Sequence, residues 1–274
     1  MTPSQPRHQW LRGIGIGIGA LILSTLVISA SDVTRGVRGL MSGALLDSQG
    51  PCSASAVLER FGQYALCIDQ FEAAPSAACT YLDPKNELET IANLSDADCE
   101  SESAIGRPVW RFVTYTQAQQ LCARAGKRLP TAQEWYRITL PLTNIDSCTV
   151  AKAAPEVTGV TTCTTPSGIH DLVGNVWEWM NDTVTEGQIN GRNIPPPGYV
   201  DLVDDAGLVL RTATTSNESF GNDYAWTDQA GVRGILRGGF YQSGSDGGLF
   251  SQNLSVALDF QAAGVGFRCV QDVE

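Results

Sequence analysis

The chain of 274 residues carries 18 Lys and Arg against 29 Asp and Glu, a formal net charge of −11, and 43% of its residues are apolar. Residues 52–274 alone hold 14 basic and 27 acidic side chains, and a surface of that sign repels phosphate backbones and excludes nucleic acid as a partner. The length admits one large domain or two small ones, and the composition is that of an ordinary folded protein.

Residues 1–12 read as a cytoplasmic tip. Residues 13–30 hold no charge and are dominated by Ile, Leu, Val, Ala and Gly. As a helix this segment would rise ~27 Å, close to the hydrocarbon thickness of a bilayer. The run is longer than a usual signal-peptide core, which favours an uncleaved transmembrane signal anchor; Ile28-Ser-Ala30 offers cleavage as the alternative. Arg7 and Arg12 precede it and Arg35 and Arg38 follow it, so charge leaves its orientation open. Gly13/Gly17 and Gly15/Gly19 have the small-xxx-small spacing through which a homodimer or a partner subunit could pack. Residues 31–51 read as a stalk, and 52–274 as one domain without repeats.

All eight cysteines (52, 67, 79, 99, 122, 148, 163 and 269) lie beyond the apolar segment. An even set belongs in an oxidising compartment, so the domain is expected in the periplasm or the extracellular space. The domain has one histidine, His170, and no Cys-x-x-Cys, which argues against a zinc framework. Cys79 and Cys99 flank an acidic loop, and Cys148 and Cys163 one rich in Thr, Pro and Ala. Each pair would staple its loop for about 3 kcal/mol.

Two helices are predicted. Thr114-Tyr-Thr-Gln117 is a capping box followed by Ala118, Leu121, Cys122 and Ala125 at helical spacing, with Gly126 as the stop. Thr131-Ala-Gln-Glu134 is a second capping box, opening a helix that carries Trp135 and Ile138 on one face. From 140 to 270 the text is rich in Gly, Pro, Asn, Asp and Thr, which predicts loops and short strands. Ile194-Pro-Pro-Pro-Gly198 reads as stiff and extended, and Asp201 to Asp205 as a solvated turn. The sum is a loop-rich, disulfide-stapled α+β domain.

Four motifs occur in order: Ala125-Gly-Lys-Arg-Leu-Pro-Thr-Ala-Gln-Glu-Trp135, Gly174-Asn-Val-Trp-Glu-Trp179, Leu236-Arg-Gly-Gly-Phe240 and Gly264-Val-Gly-Phe-Arg-Cys269. Together they resemble the formylglycine-generating enzyme (sulfatase-modifying factor) family over roughly Cys67 to Val270. The resemblance implies a C-type-lectin-like fold and a Cys122–Cys269 disulfide, which leaves Cys52 and Cys67 as a further pair. It also implies calcium on the Asn175 and Glu178 side chains and the Val176 carbonyl; a turn cap and an arginine partner are the plain alternatives for the two side chains. Trp177 and Trp179 are expected in the core. Arg237 and Arg268 are expected to pair with buried carboxylates or loop carbonyls.

Oxidases of this family hold copper through two cysteines placed after the "RGG" motif. The matching positions here are Ser243 and Gly248, neither of which offers the thiolate that Cu(I) prefers, so no copper is expected. Nor is iron, because facial-type iron sites need two imidazoles and His170 is alone. It reads instead as a hydrogen-bonded structural residue.

The segment from Arg237 to Arg268 resembles, without a gap, a non-catalytic branch that includes variable proteins of diversity-generating retroelements. Gly244, Gly248, Phe250, Leu254, Gly266 and Phe267 match the scaffold there, while Gln242, Ser243, Ser255, Val256, Phe260, Ala262 and Ala263 stand where that text reads Asn. A face of interchangeable side chains on a rigid frame is expected over 240–263: Phe240, Tyr241, Gln242, Ser243, Ser245 and Asp246, then Ser255, Val256, Asp259, Phe260 and Gln261. The reading that follows is a membrane-anchored, extracytoplasmic protein that binds a protein or glycan. A sulfatase-modifying oxidase and an accessory subunit of a membrane complex are the alternatives.

Overall fold

A computed structural model describes residues 50–273 of the chain. The segments read as a cytoplasmic tip (1–12), an apolar anchor (13–30) and, but for residues 50 and 51, a stalk (31–51) lie outside the described residues. Among those described, no helix is long and apolar enough to cross a membrane.

The domain opens with a hairpin, β1 (Ala56–Phe61) and β2 (Tyr64–Asp69), and a short strand, β3 (Ala73–Pro75). Next come α1 (Glu87–Ser95), β4 (Ser101–Ser103), α2 (Tyr115–Arg124) and α3 (Ala132–Thr139). The rest is β structure: β5 (Trp177–Thr185), β6 (Gln188–Ile189), β7 (Arg192–Asn193), β8 (Gly198–Val203), β9 (Val209–Ala213), β10 (Tyr224–Thr227), β11 (Val232–Arg237), β12 (Gln252–Leu254), β13 (Val265–Gly266) and β14 (Val270–Asp272). The described part is thus mostly β with three α-helices.

Both predicted helices form on their capping boxes. Thr114 and Gln117 satisfy each other's backbone amides at the start of α2, and Thr131 and Glu134 do so at α3. Gly126 ends α2 in the left-handed region at φ 68°, where a side chain would be strained. The helix α1 was not anticipated. It has a cap, Asn86, whose side chain accepts from the Glu89 amide, but its buried residues are Thr90 and Asn93. It lacks a buried apolar stripe. A second correction concerns 201–205: Asp201 to Val203 belong to β8, and the turn is Asp204 to Gly207. Asp201 sits at an irregularity in the β8–β9 register and pairs with Arg211, which accounts for its polarity within a strand.

The main sheet runs β7-β6-β5-β11-β12-β10-β8-β9, with β13 beside β5. Strand alternation splits its side chains between two cores. Met180, Val184, Ile235, Val200 and Ala225 pack with Trp135 and Ile138 of α3. Trp177, Trp179, Leu236 and Phe267 pack on the other side with Trp110 and with Leu121 and Cys122 of α2. The first hairpin and β14 form a separate three-stranded sheet.

All eight cysteines are paired: Cys52–Cys67, Cys79–Cys99, Cys122–Cys269 and Cys148–Cys163. The Cys122–Cys269 bond spans 147 residues and ties α2 to the segment before β14.

Candidate functional site

The frame beneath the site is built on β5. Glu178 and Arg268 are both fully buried and joined at 2.7 Å. The second Glu178 oxygen accepts from Trp135 Nε1 at 2.9 Å, and Arg268 also donates to the carbonyls of Asp69 and His170. Burial pushes the Glu178 carboxyl up against the pull of Arg268. Burial alone would weaken the Arg268 charge, but the adjacent carboxylate outweighs it and holds the guanidinium protonated. The His170 ring faces Thr164 Oγ1 at 3.1 Å and packs on Phe71, as a structural residue does.

Gly174 and Asn175 take consecutive left-handed conformations, φ 80° and 57°, the second of which Asn tolerates better than most residues. Asn175 Oδ1 accepts from the Glu156 amide at 2.8 Å, and its Nδ2 donates to Glu72 Oε2 at 2.6 Å. Glu72 is fully buried, and burial first, then Asp171 and Glu178, push its carboxyl well above the usual range.

A hard cation needs six to eight free oxygens. Here the Asn175 oxygen and both Glu178 oxygens are taken by protein donors, and among the described residues no group of three or more His, Cys, Asp or Glu is placed to hold a metal. Calcium on Asn175, Val176 and Glu178 would have to share these side-chain oxygens with their present donors. The turn cap and the arginine partner are what the two side chains supply.

Above this frame lies the loop from 237 to 250. Arg237 is buried with its guanidinium over the Trp135 ring at 5.0 Å, donating to the carbonyls of Gly207 and Leu249. Burial without a direct carboxylate partner pulls its pKa down to about 10. Two backbone bonds strap the loop down, from Lys152 N to Tyr241 O and from Gly244 N to Val150 O. Ser243 Oγ accepts from the Phe240 amide at 2.9 Å. Gly248 lies against Asp223: a Cβ at 248 would fall 2.3 Å from the Asp223 carboxylate. Asp223 is itself buried and accepts from the Phe250 amide, and burial pushes its carboxyl up to about 7. A hydroxyl already engaged and a glycine closed off by a carboxylate do not fit a thiolate-held Cu(I) ion.

The loop separates two clefts. One, of about 610 Å³, is walled by Ile145, Val150, Asp223 and Phe250 and includes Ser245 and Gly248. The other, of about 320 Å³, is lined by Trp177, Trp226, Phe240, Gln242, Ser243, Asp246 and Asn253.

Of the expected ligand-contact residues, Phe240, Gln242, Ser243 and Asp246 meet in the smaller cleft and Ser245 reaches the larger one. Asp259 and Phe260 are exposed elsewhere, and Gln261 lies beside Glu87 of α1. Ser255 bonds to Asn253. Tyr241 and Val256 are largely buried: the Tyr241 backbone is held at both its amide and its carbonyl, and Val256 packs into the second core. Three cleft residues were not anticipated in it: Trp177, buried yet forming part of the wall, and Trp226 and Asn253 from β10 and β12.

Residues 147–273 match the sulfatase-modifying factor enzyme 1-like domain family. No curated protein matches the sequence. Among solved structures, the chain is similar to the Major Tropism Determinant P3c variant at 15% identity and a TM-score of 0.44, covering 80% of this chain and 55% of that one. It thus spans about half the length of that protein. It is also similar to Treponema denticola variable protein 1 (14% identity, TM-score 0.45, covering 81% of this chain and 93% of that one). A third is PvdO from Pseudomonas aeruginosa (14% identity, TM-score 0.42, covering 76% and 81%). The matched stretch runs from the cysteine-linked turn after α3 to the last strand, a little under half of the chain.

Proposed function

We propose that the domain is a non-catalytic ligand-binding module of C-type-lectin-like fold, displayed outside the cytoplasm on the membrane anchor 13–30. One observation carries the binding reading. The 320 Å³ cleft has aromatic walls and polar groups, the Gln242 and Asp246 side chains and the Asn253 Nδ2, that make no hydrogen bond among the described residues. Polar groups held on a rigid frame without an internal partner are what a ligand can use. The extracytoplasmic placement is supported by the four disulfides, which suit an oxidising compartment.

The test sets binding against the oxidase reading. The purified full chain is titrated with Cu(I) and assayed for oxygen-dependent conversion of a cysteine-containing peptide. The expected result is neither stoichiometric copper binding nor turnover. Turnover that is lost on substituting Ser243 would overturn the non-catalytic assignment.

A further inference from the structure

We propose that the cleft is one end of a binding rail for an extended, neutral oligosaccharide, an assignment that rests on the ligand-binding reading above. Four rings form a continuous row. Trp177 and Trp226 meet edge to face at 5.6 Å, Trp226 and Tyr224 follow at 4.9 Å, and Tyr224 meets Tyr199 at 5.2 Å. Sheet order produces the row. Tyr199 of β8 is register partner of Tyr224 on β10, and Tyr224 and Trp226 share one face of that strand. Trp226 in turn stands opposite Asn253 of β12. Tyr199, Tyr224 and Trp226 all keep part of their surface in solvent. At the far end Tyr199 and Tyr224 border a second cleft of about 370 Å³ with Pro197 and Thr212. The rail therefore joins two openings, and its length suits a chain of several units rather than a single small molecule.

The chemistry at its polar end selects the ligand class. The Gln242 amide, the Asn253 amide nitrogen and the Asp246 carboxylate have no partner among the described residues and line the same cleft as Trp226. A pyranose ring presents C–H faces that lie on aromatic surface and edge hydroxyls that both donate and accept, so it can satisfy an amide and a carboxylate together. Polyproline, the other ligand that favours aromatic grooves, carries carbonyl acceptors and no amide hydrogen, so Asp246 would face it unpaired. No Lys or Arg lines either cleft, and the chain's net charge is −11; both count against uronic acids, sulfated glycans and acidic peptides.

The assignment is tested by calorimetric titration of the purified full chain with cellohexaose, chitohexaose and mannohexaose. Hexagalacturonate and a polyproline peptide serve as comparison ligands. The expected result is saturable binding of at least one neutral hexasaccharide, tighter than that of its disaccharide and unaffected by chelator. Trp226→Ala should weaken it about tenfold or more, as loss of an aromatic anchor does. Because Trp226 is half-buried, the exposed variant Gln242→Ala and the isosteric Asp246→Asn are measured beside it; each should weaken binding several-fold while leaving the thermal transition in place. Binding of none of the three neutral hexasaccharides overturns the proposal, as does preference for the uronate or the polyproline peptide, or binding indifferent to all three variants. Failure here with copper and peptide turnover also absent removes only the glycan assignment, whereas turnover would remove the binding reading itself.

Discussion

The frame around β5 and the loop face above it treat polar groups in opposite ways. In the frame, Glu178 is met by Arg268 and Trp135, and Asn175 by Glu156 and Glu72. On the face, the Gln242 and Asp246 side chains and the Asn253 Nδ2 have no partner among the described residues. An unpaired polar group costs little in water and much in the interior, so each arrangement suits its place. The motif residues Asn175, Glu178 and Arg268 are thus engaged inside the frame, whereas the polar side chains between the motifs face the cleft.

The comparison can be broken most severely at Cys122–Cys269. By loop-closure entropy, removing this bond with a paired Cys→Ala substitution should cost about 5 kcal/mol, against about 3 for the short Cys148–Cys163 loop. Chemical denaturation of the two double variants should reproduce that order; a larger loss from the short loop would place the frame elsewhere.

Next in size is Arg268→Met, which strands the Glu178 carboxylate in the interior and should cost roughly 3–5 kcal/mol. Adding Glu178→Leu should recover most of it. If the double variant is no more stable than the single one, the pair does more than satisfy each other's charge.

Asp223 lies on the seam between the two regions. Its carboxyl sits at about 7 in the folded chain, raised by burial, against ~3.9 when unfolded. A folded value above the unfolded one means the contribution is favourable at low pH and is lost as pH rises from about 4 to 7. Asp223→Asn should therefore be the more stable protein at pH 8, by up to about 4 kcal/mol, with the difference closing near pH 3. Thermal unfolding of both proteins across that range reads it directly, and a constant offset would show that Asp223 stays ionised.

The smallest effect is expected on the face. Gln242→Ala and Ser245→Ala should each change stability by less than about 0.5 kcal/mol, since both residues are exposed. A loss of several times that amount would move them into the frame.

What could be read from the residues was what is local. Two capping boxes placed α2 and α3 because a cap needs only four neighbouring residues. The helix α1 was missed although Leu88, Ile91 and Ala92 have helical spacing, because the segment is short and sits in an acidic loop; in the fold Leu88 and Ile91 face solvent. The expected face came together in part in one cleft, since Phe240, Gln242, Ser243 and Asp246 are close in sequence. Tyr199, Tyr224 and Trp226 were not legible, because they become neighbours only when β10 lies between β8 and β12, with the β10–β12 pairing parallel. No short-range pattern records that order.

The contact between Gly248 and Asp223 has a consequence for the engineering of the fold. Installing sulfur at 248 drives it into a carboxylate, while shrinking residue 223 first leaves a hole beneath the Phe250 amide. Either step alone damages the protein, so the two would have to arrive together. The two positions are therefore coupled, and a side chain enters at 248 only together with a smaller residue at 223.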